Sequence, residues 1–197
     1  MFVVLAIAVA SLDIATVSAT VRAAPTISDR LVEEALQEAD AIWRSNGVAV
    51  LWQTSEDTAA STEGSLSVMF DDGKSTLKDS VGTLGTIVFA GGVPLPYIRL
   101  SYSNALELLR ERYGGALNQM TLAERRRHVS RALGRALAHE LGHYLLASRE
   151  HTAHGLMKAL QTTGDLFGPS RRPFELTDTQ RCEVLARLRS GELLAPR

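Results

Sequence analysis

Between Thr121 and Leu146 the chain repeats apolar residues at helical spacing (Leu122, Val129, Leu133, Ala136, Leu137, Leu141, Tyr144, Leu145), and inside that run it reads His139-Glu140-Leu141-Gly142-His143. Thr121 and Glu124 form a capping box that starts the helix. Two histidines four residues apart lie on one face, one turn above the other, close enough to share one metal ion, and Glu140 projects beside them. Four of the five histidines in the chain, His139, His143, His151 and His154, fall between positions 139 and 154. A fold that uses this pair must therefore end the helix soon after His143 and bring a third ligand back to it.

The sequence offers several candidates for that ligand. Cys182 is the only cysteine, which excludes a disulfide framework and any all-thiolate site, so a metal must be held by histidine and carboxylate. Zn2+ accepts both, and His151, His154, Glu175 and Glu183 remain open. The downstream histidines are nearer. Ala147-Ser148-Arg149 offers an exit from the helix, and residues 144–150 give enough chain for reversal before His151. His154 also reaches, but it directly precedes Gly155-Leu156-Met157, where glycine permits a tight turn and Met157 can sit beneath the site. Catalytic zinc keeps three protein ligands and leaves a position for a water, whose proton Glu140 can take.

The rest of the chain supplies an α+β frame. Ser28 opens an amphipathic helix over Leu31–Trp43 that Gly47 ends. Val48–Trp52, Leu66–Phe70, Thr86–Ala90 and Tyr97–Tyr102 read as strands, the last two as a hairpin or close neighbours around Gly91-Gly92. A short helix follows Asn104 and stops at Gly114-Gly115, and a second capping box, Thr177 with Gln180, opens a final helix to about Ser190. The arginines at 125, 126, 127, 131 and 135 read as a solvated face of the long helix. Helix, strands and helices in this order give α+β.

With 197 residues, 45% of them hydrophobic, and 21 Lys+Arg against 22 Asp+Glu, the chain suits one globular domain. A net charge of −1 without a basic block gives nucleic acid no electrostatic footprint. Phe2–Ala10 is an apolar run, followed by Val17-Ser18-Ala19 and Val21-Arg22-Ala23, each a small-x-Ala pattern. Residues 1–24 therefore read as a signal peptide cleaved near residues 19–24, which places residues 25–197 in a secreted or periplasmic compartment. If uncleaved, the segment is a membrane anchor, although Asp13 interrupts it short of a full span.

The His139-Glu140-Leu141-Gly142-His143 motif, a later histidine and the Gly155-Leu156-Met157 turn resemble the metzincin clan of zinc endopeptidases, whose signature is H-E-x-x-H-x-x-G-x-x-H followed by a Met-turn. Leu146 stands at the glycine position of that signature and Arg149 at its third histidine, so the loop here is longer. His151-Thr152 followed by Met157 resembles the clan's third ligand and Met-turn, which favours His139, His143 and His151 as the zinc ligands. The resemblance implies a zincin-like catalytic domain, with a small mixed sheet, a long active-site helix, a Met-turn and a C-terminal helix. It also implies hydrolysis of peptide or protein substrates with Glu140 as general base, and substrate pairing along an edge strand, here Gly85–Ala90. Two alternatives stand beside it: a zincin with a glutamate third ligand, and a zinc-binding module without turnover.

Overall fold

Ala15, Val17, Ala19, Val21 and Ala23 alternate with Thr16, Ser18, Thr20 and Arg22, the period of a half-buried strand. In the computed structural model, which describes residues 14–54, 66–73 and 83–191, this stretch is strand β1 (Ala15–Ala23). Helix α1 (Asp29–Ser45) and strand β2 (Val48–Thr54) follow, then β3 (Leu66–Asp71). β4 (Gly85–Ala90) and β5 (Val93–Ser101) form a hairpin through Gly91 and Gly92, both at positive φ. Helix α2 (Tyr102–Tyr113) begins two residues before Asn104 because the Ser101 side chain caps the Asn104 N–H. A 3-10 turn (Gly114–Gln119) leads to α3 (Leu122–Leu146), and short α4 (Thr163–Phe167) and α5 (Asp178–Ser190) complete the chain.

The sheet order is β2-β1-β3-β5-β4. β1 runs parallel to both β2 and β3, β3 runs parallel to β5, and only β4, at the edge, is antiparallel. The architecture is thus mixed α+β. The apolar residues of one sheet face, Ala19, Val21, Leu66, Val68, Phe70, Ile98 and Leu100, are buried in one core with residues of α1 and α3. The opposite face exposes Thr16, Ser18, Arg22, Val93, Leu95 and Tyr97.

A chain boundary at residue 24 does not fit this sheet. β1 joins β2 to β3, so cleavage near residues 19–24 would remove the strand that holds the parallel half together. The small residues that suggest a cleavage pattern are there because one face of β1 packs in the core and the other carries hydroxyls. The apolar run Phe2–Ala10 lies outside the described residues.

The reading of the α3 arginines also needs correction. Arg135 is fully buried and ion-paired with Glu38 of α1 at 2.8 Å, and Arg171 closes on the other carboxylate oxygen at 2.6 Å. Arg135 also donates to the carbonyls of Asp165, Leu166 and Ser170 and lies 4.9 Å from the centre of the Phe174 ring. Arg126 pairs with Glu34 at 3.0 Å, and Arg131 donates to the Phe167 carbonyl. α3 crosses α1 so closely at Gly134 that a Cβ there would strike the Ala35 carbonyl and the Glu38 side chain.

A chain beginning at Ile14 is expected to unfold cooperatively in a thermal melt followed by circular dichroism, whereas one beginning at Pro25 is expected to show no cooperative transition. A folded Pro25 chain would remove β1 from the structural core.

Candidate metal centre

α3 carries His139, Glu140 and His143 to the floor of a cleft of about 1030 Å3, bounded by β4, α2 and the segment after Met157. The Nε2 atoms of His139 and His143 lie 3.0 Å apart. Their Nδ1 atoms face main-chain carbonyls, His139 that of Leu156 at 2.8 Å and His143 that of Ser148 at 2.7 Å. A carbonyl only accepts, so each Nδ1 carries the proton and each Nε2 presents a lone pair. Burial holds the His139 pKa down to about 4 and lowers that of His143, so both rings are neutral at pH 7. Two lone pairs facing each other at this distance repel, and a shared cation relieves the repulsion.

The third imidazole comes from the loop. His151 stacks nearly parallel to His139 at 5.4 Å between centroids and meets His143 edge-on at 4.9 Å. One ligand atom from each of His139, His143 and His151 lies within 4.8 Å of the others, and among the described residues no other group of three His, Cys, Asp or Glu side chains does so. Three imidazole nitrogens this close together can hold one metal ion. His154, Glu175 and Glu183 are exposed and outside the cluster. Glu175 contributes only its main-chain carbonyl, which accepts from Leu156.

The helix exit that makes this possible uses an alanine. Ser148 N–H bonds the His143 carbonyl and Ala147 N–H that of Tyr144, the bond pair of a Schellman turn, with Ala147 left-handed at φ 47 and ψ 39. The reversal falls one residue after Leu146, and the additional chain carries His151 back. Thr152 N–H then bonds the Met157 carbonyl at 2.8 Å, and Gly155, at φ 82, brings the chain against Glu175 where a side chain would collide with its carbonyl. Met157 is fully buried directly under the motif: a Cβ on Gly142 would strike its sulfur.

Glu140 is buried between α3 and β4. Its carboxylate accepts the Ile87 N–H, and burial raises its pKa to about 7 against the effect of that bond. Its Cγ occupies the space a side chain at residue 85 would take, since a Cβ there would lie 2.7 Å away. Gly85, Gly142 and the Ile87 N–H are thus site groups to which the sequence reading assigned no such role, whereas Ala147 lies in the helix exit it named. Gly142 carried a signal: glycine inside a helix costs up to ~1 kcal/mol relative to alanine, so its presence marks close approach.

Left-handed backbone costs a residue with a Cβ roughly 1–2 kcal/mol, partly offset by the larger unfolded-state entropy of glycine. Ala147→Gly is therefore expected to stabilise the metal-free protein by about 0.5–1 kcal/mol in denaturant titration, and Ala147→Val to destabilise it; a less stable glycine variant would refute this account of the turn. Zinc titration should show His151→Ala weakening affinity by orders of magnitude and His154→Ala leaving it nearly unchanged, and the reverse ranking would move the ligand role to His154. Compared with known proteins, the chain matches no protein-family model, and no curated protein shows significant similarity to it.

Proposed function

We propose that this chain is a metzincin-like zinc endopeptidase in which His139, His143 and His151 hold Zn2+ and Glu140 is the general base. The observation that carries the reading is the convergence of three imidazoles beside a buried carboxylate on the floor of an open cleft. The donor set is all imidazole nitrogen, with two rings locked by carbonyls, which suits zinc in a three-ligand, open site. When bound, zinc supplies Lewis acidity, lowering the pKa of water toward 7 and polarising a carbonyl. Burial sets the Glu140 pKa at about 7, so near neutral pH the group can both take up and release a proton.

Among the described residues the Glu140 carboxylate accepts from the Ile87 N–H, and its remaining lone pairs can accept the water proton. It then returns that proton to the leaving amine, which general acid–base catalysis needs for an amide. β4 lies at the sheet edge and lines the cleft, and the Ile87 N–H and Phe89 carbonyl turn away from β5 toward Glu140 and Arg149. An extended peptide can add to this edge, with main-chain bonds giving affinity and flanking pockets giving preference. Met157 against Gly142 supports the floor, the place of the Met-turn in this reading. A carboxylate third ligand is not part of the reading, because Glu175 and Glu183 stand outside the cluster. Export of the chain belongs to the reading, with any cleavage falling before Ala15 so that β1 remains.

The test pairs metal content with turnover. The purified full chain is expected to bind one zinc per molecule and to cleave casein in a chelator-sensitive way. Glu140→Gln should keep the zinc while losing about 10²–10⁴-fold in rate, because an amide accepts no proton from water. An active Glu140→Gln protein would end this mechanism, and zinc binding without any cleavage would favour a metal-holding module.

A further inference from the structure

Arg149, the residue at the metzincin third-histidine position, lies against β4. Its Nη2 donates to the Phe89 carbonyl at 3.3 Å, and its guanidinium carbon sits 4.7 Å from the centre of the Phe89 ring. The same ring meets His143 edge-on at 6.4 Å, and Arg149 lines the same cleft as the three histidines. The ring contact and the single Nη2 bond leave other donors of the guanidinium fork without a protein partner among the described residues, and a fork with free donors can take a carboxylate through two parallel bonds. No carboxylate among the described residues pairs with it. The other cations lining the cleft are engaged, Arg135 by Glu38 and Lys158 by Asp165 at 3.6 Å.

Its place along β4 gives the contact a direction. Gly85 lies against Glu140, the Ile87 N–H bonds the Glu140 carboxylate, and Phe89 carries Arg149. A strand rises ~3.3 Å per residue, so Arg149 acts roughly two residues beyond the catalytic carboxylate. A peptide added to the outer edge of β4 in the antiparallel sense, the more stable pairing per residue, runs with its amino-terminal half toward Phe89.

We propose that Arg149, backed by Phe89, is a specificity-determining residue that binds an acidic side chain two or three residues on the amino-terminal side of the bond cleaved. This rests on the endopeptidase reading and adds a substrate class to it: extended peptides with Asp or Glu upstream of the scissile bond.

The experiment uses the full, zinc-loaded chain and a neutral peptide series in which a single Asp, Gln or Lys is walked along the sequence. Mass spectrometry locates the cleaved bond, and fluorescence anisotropy measures binding of the same peptides. Asp two or three residues upstream is expected to raise kcat/KM, and to tighten binding, about tenfold over Gln at the same position. Arg149→Gln should bring that ratio close to one, and Arg149→Glu should reverse it in favour of Lys. Equal treatment of Asp and Gln peptides, or an acidic preference that survives in Arg149→Glu, overturns the proposal. So does selection of a carboxylate only at the peptide's carboxy terminus, which would mean parallel seating. Binding preference without cleavage would refute the hydrolytic reading while leaving the carboxylate site standing; absence of both refutes both.

Discussion

The Glu38–Arg135–Arg171 cluster is the constraint on which the arrangement of the site depends. Burial lowers the pKa of Arg135 and the Glu38 carboxylate opposes that shift, so the buried guanidinium keeps its counter-charge only while α1 stays in place. Breaking such a pair by removing one partner leaves a buried charge at a cost of roughly 3–5 kcal/mol. The same guanidinium binds the carbonyls of Asp165, Leu166 and Ser170, so one side chain fixes α3 to α1 and holds the segment after the Met157 turn against α3. Gly134 lets the helices approach closely enough for the pair to form. His139 lies one turn beyond Arg135, and its direction follows from this docking.

The other wall of the site is built by backbone groups. The carbonyls of Ser148 and Leu156 set the tautomers of His143 and His139, and the Ile87 N–H sets the Glu140 carboxylate. All three come from segments that must themselves be held: the Schellman turn at Ala147, the Gly155 turn against Glu175, and the β4 edge. Polar groups fixed by main chain need no rearrangement when a metal or substrate arrives, which is the value of a pre-ordered site. The sulfur of Met157 fills the space beside Gly142, between the two helix histidines.

Much of the frame was legible in the sequence because its elements carry strong local signals. Capping boxes marked the starts of α3 and α5 and both have the reciprocal bonds. Strong turn residues at Gly91-Gly92 marked the hairpin of β4 and β5. β1 was misread because Ala, Ser and Thr satisfy a cleavage pattern as readily as a small-residue strand, and composition outweighed the alternation that distinguishes them. Arg135 was misread for a related reason: helical periodicity assigns a charged residue to the solvent side, and nothing local reveals that a carboxylate from α1 lies opposite.

His139 and His143 lie one helical turn apart, so their spacing alone set them on one face with Glu140 beside them, and the chain length after His143 made His151 the nearest histidine able to return. Whether it does return depends on Ala147 adopting a left-handed conformation that alanine adopts only when surrounding contacts compensate for it, and no local pattern carries that information. The sequence likewise marked Gly85–Ala90 as a strand, but only sheet order made it an edge beside Glu140 and gave Arg149 the Phe89 ring to lie on. What the sequence determined by itself was local, fixed by periodicity, caps and spacing along one helix. What the tertiary structure decided was which distant groups meet, because ion pairing, close helix approach and strand order bring together residues far apart in the chain.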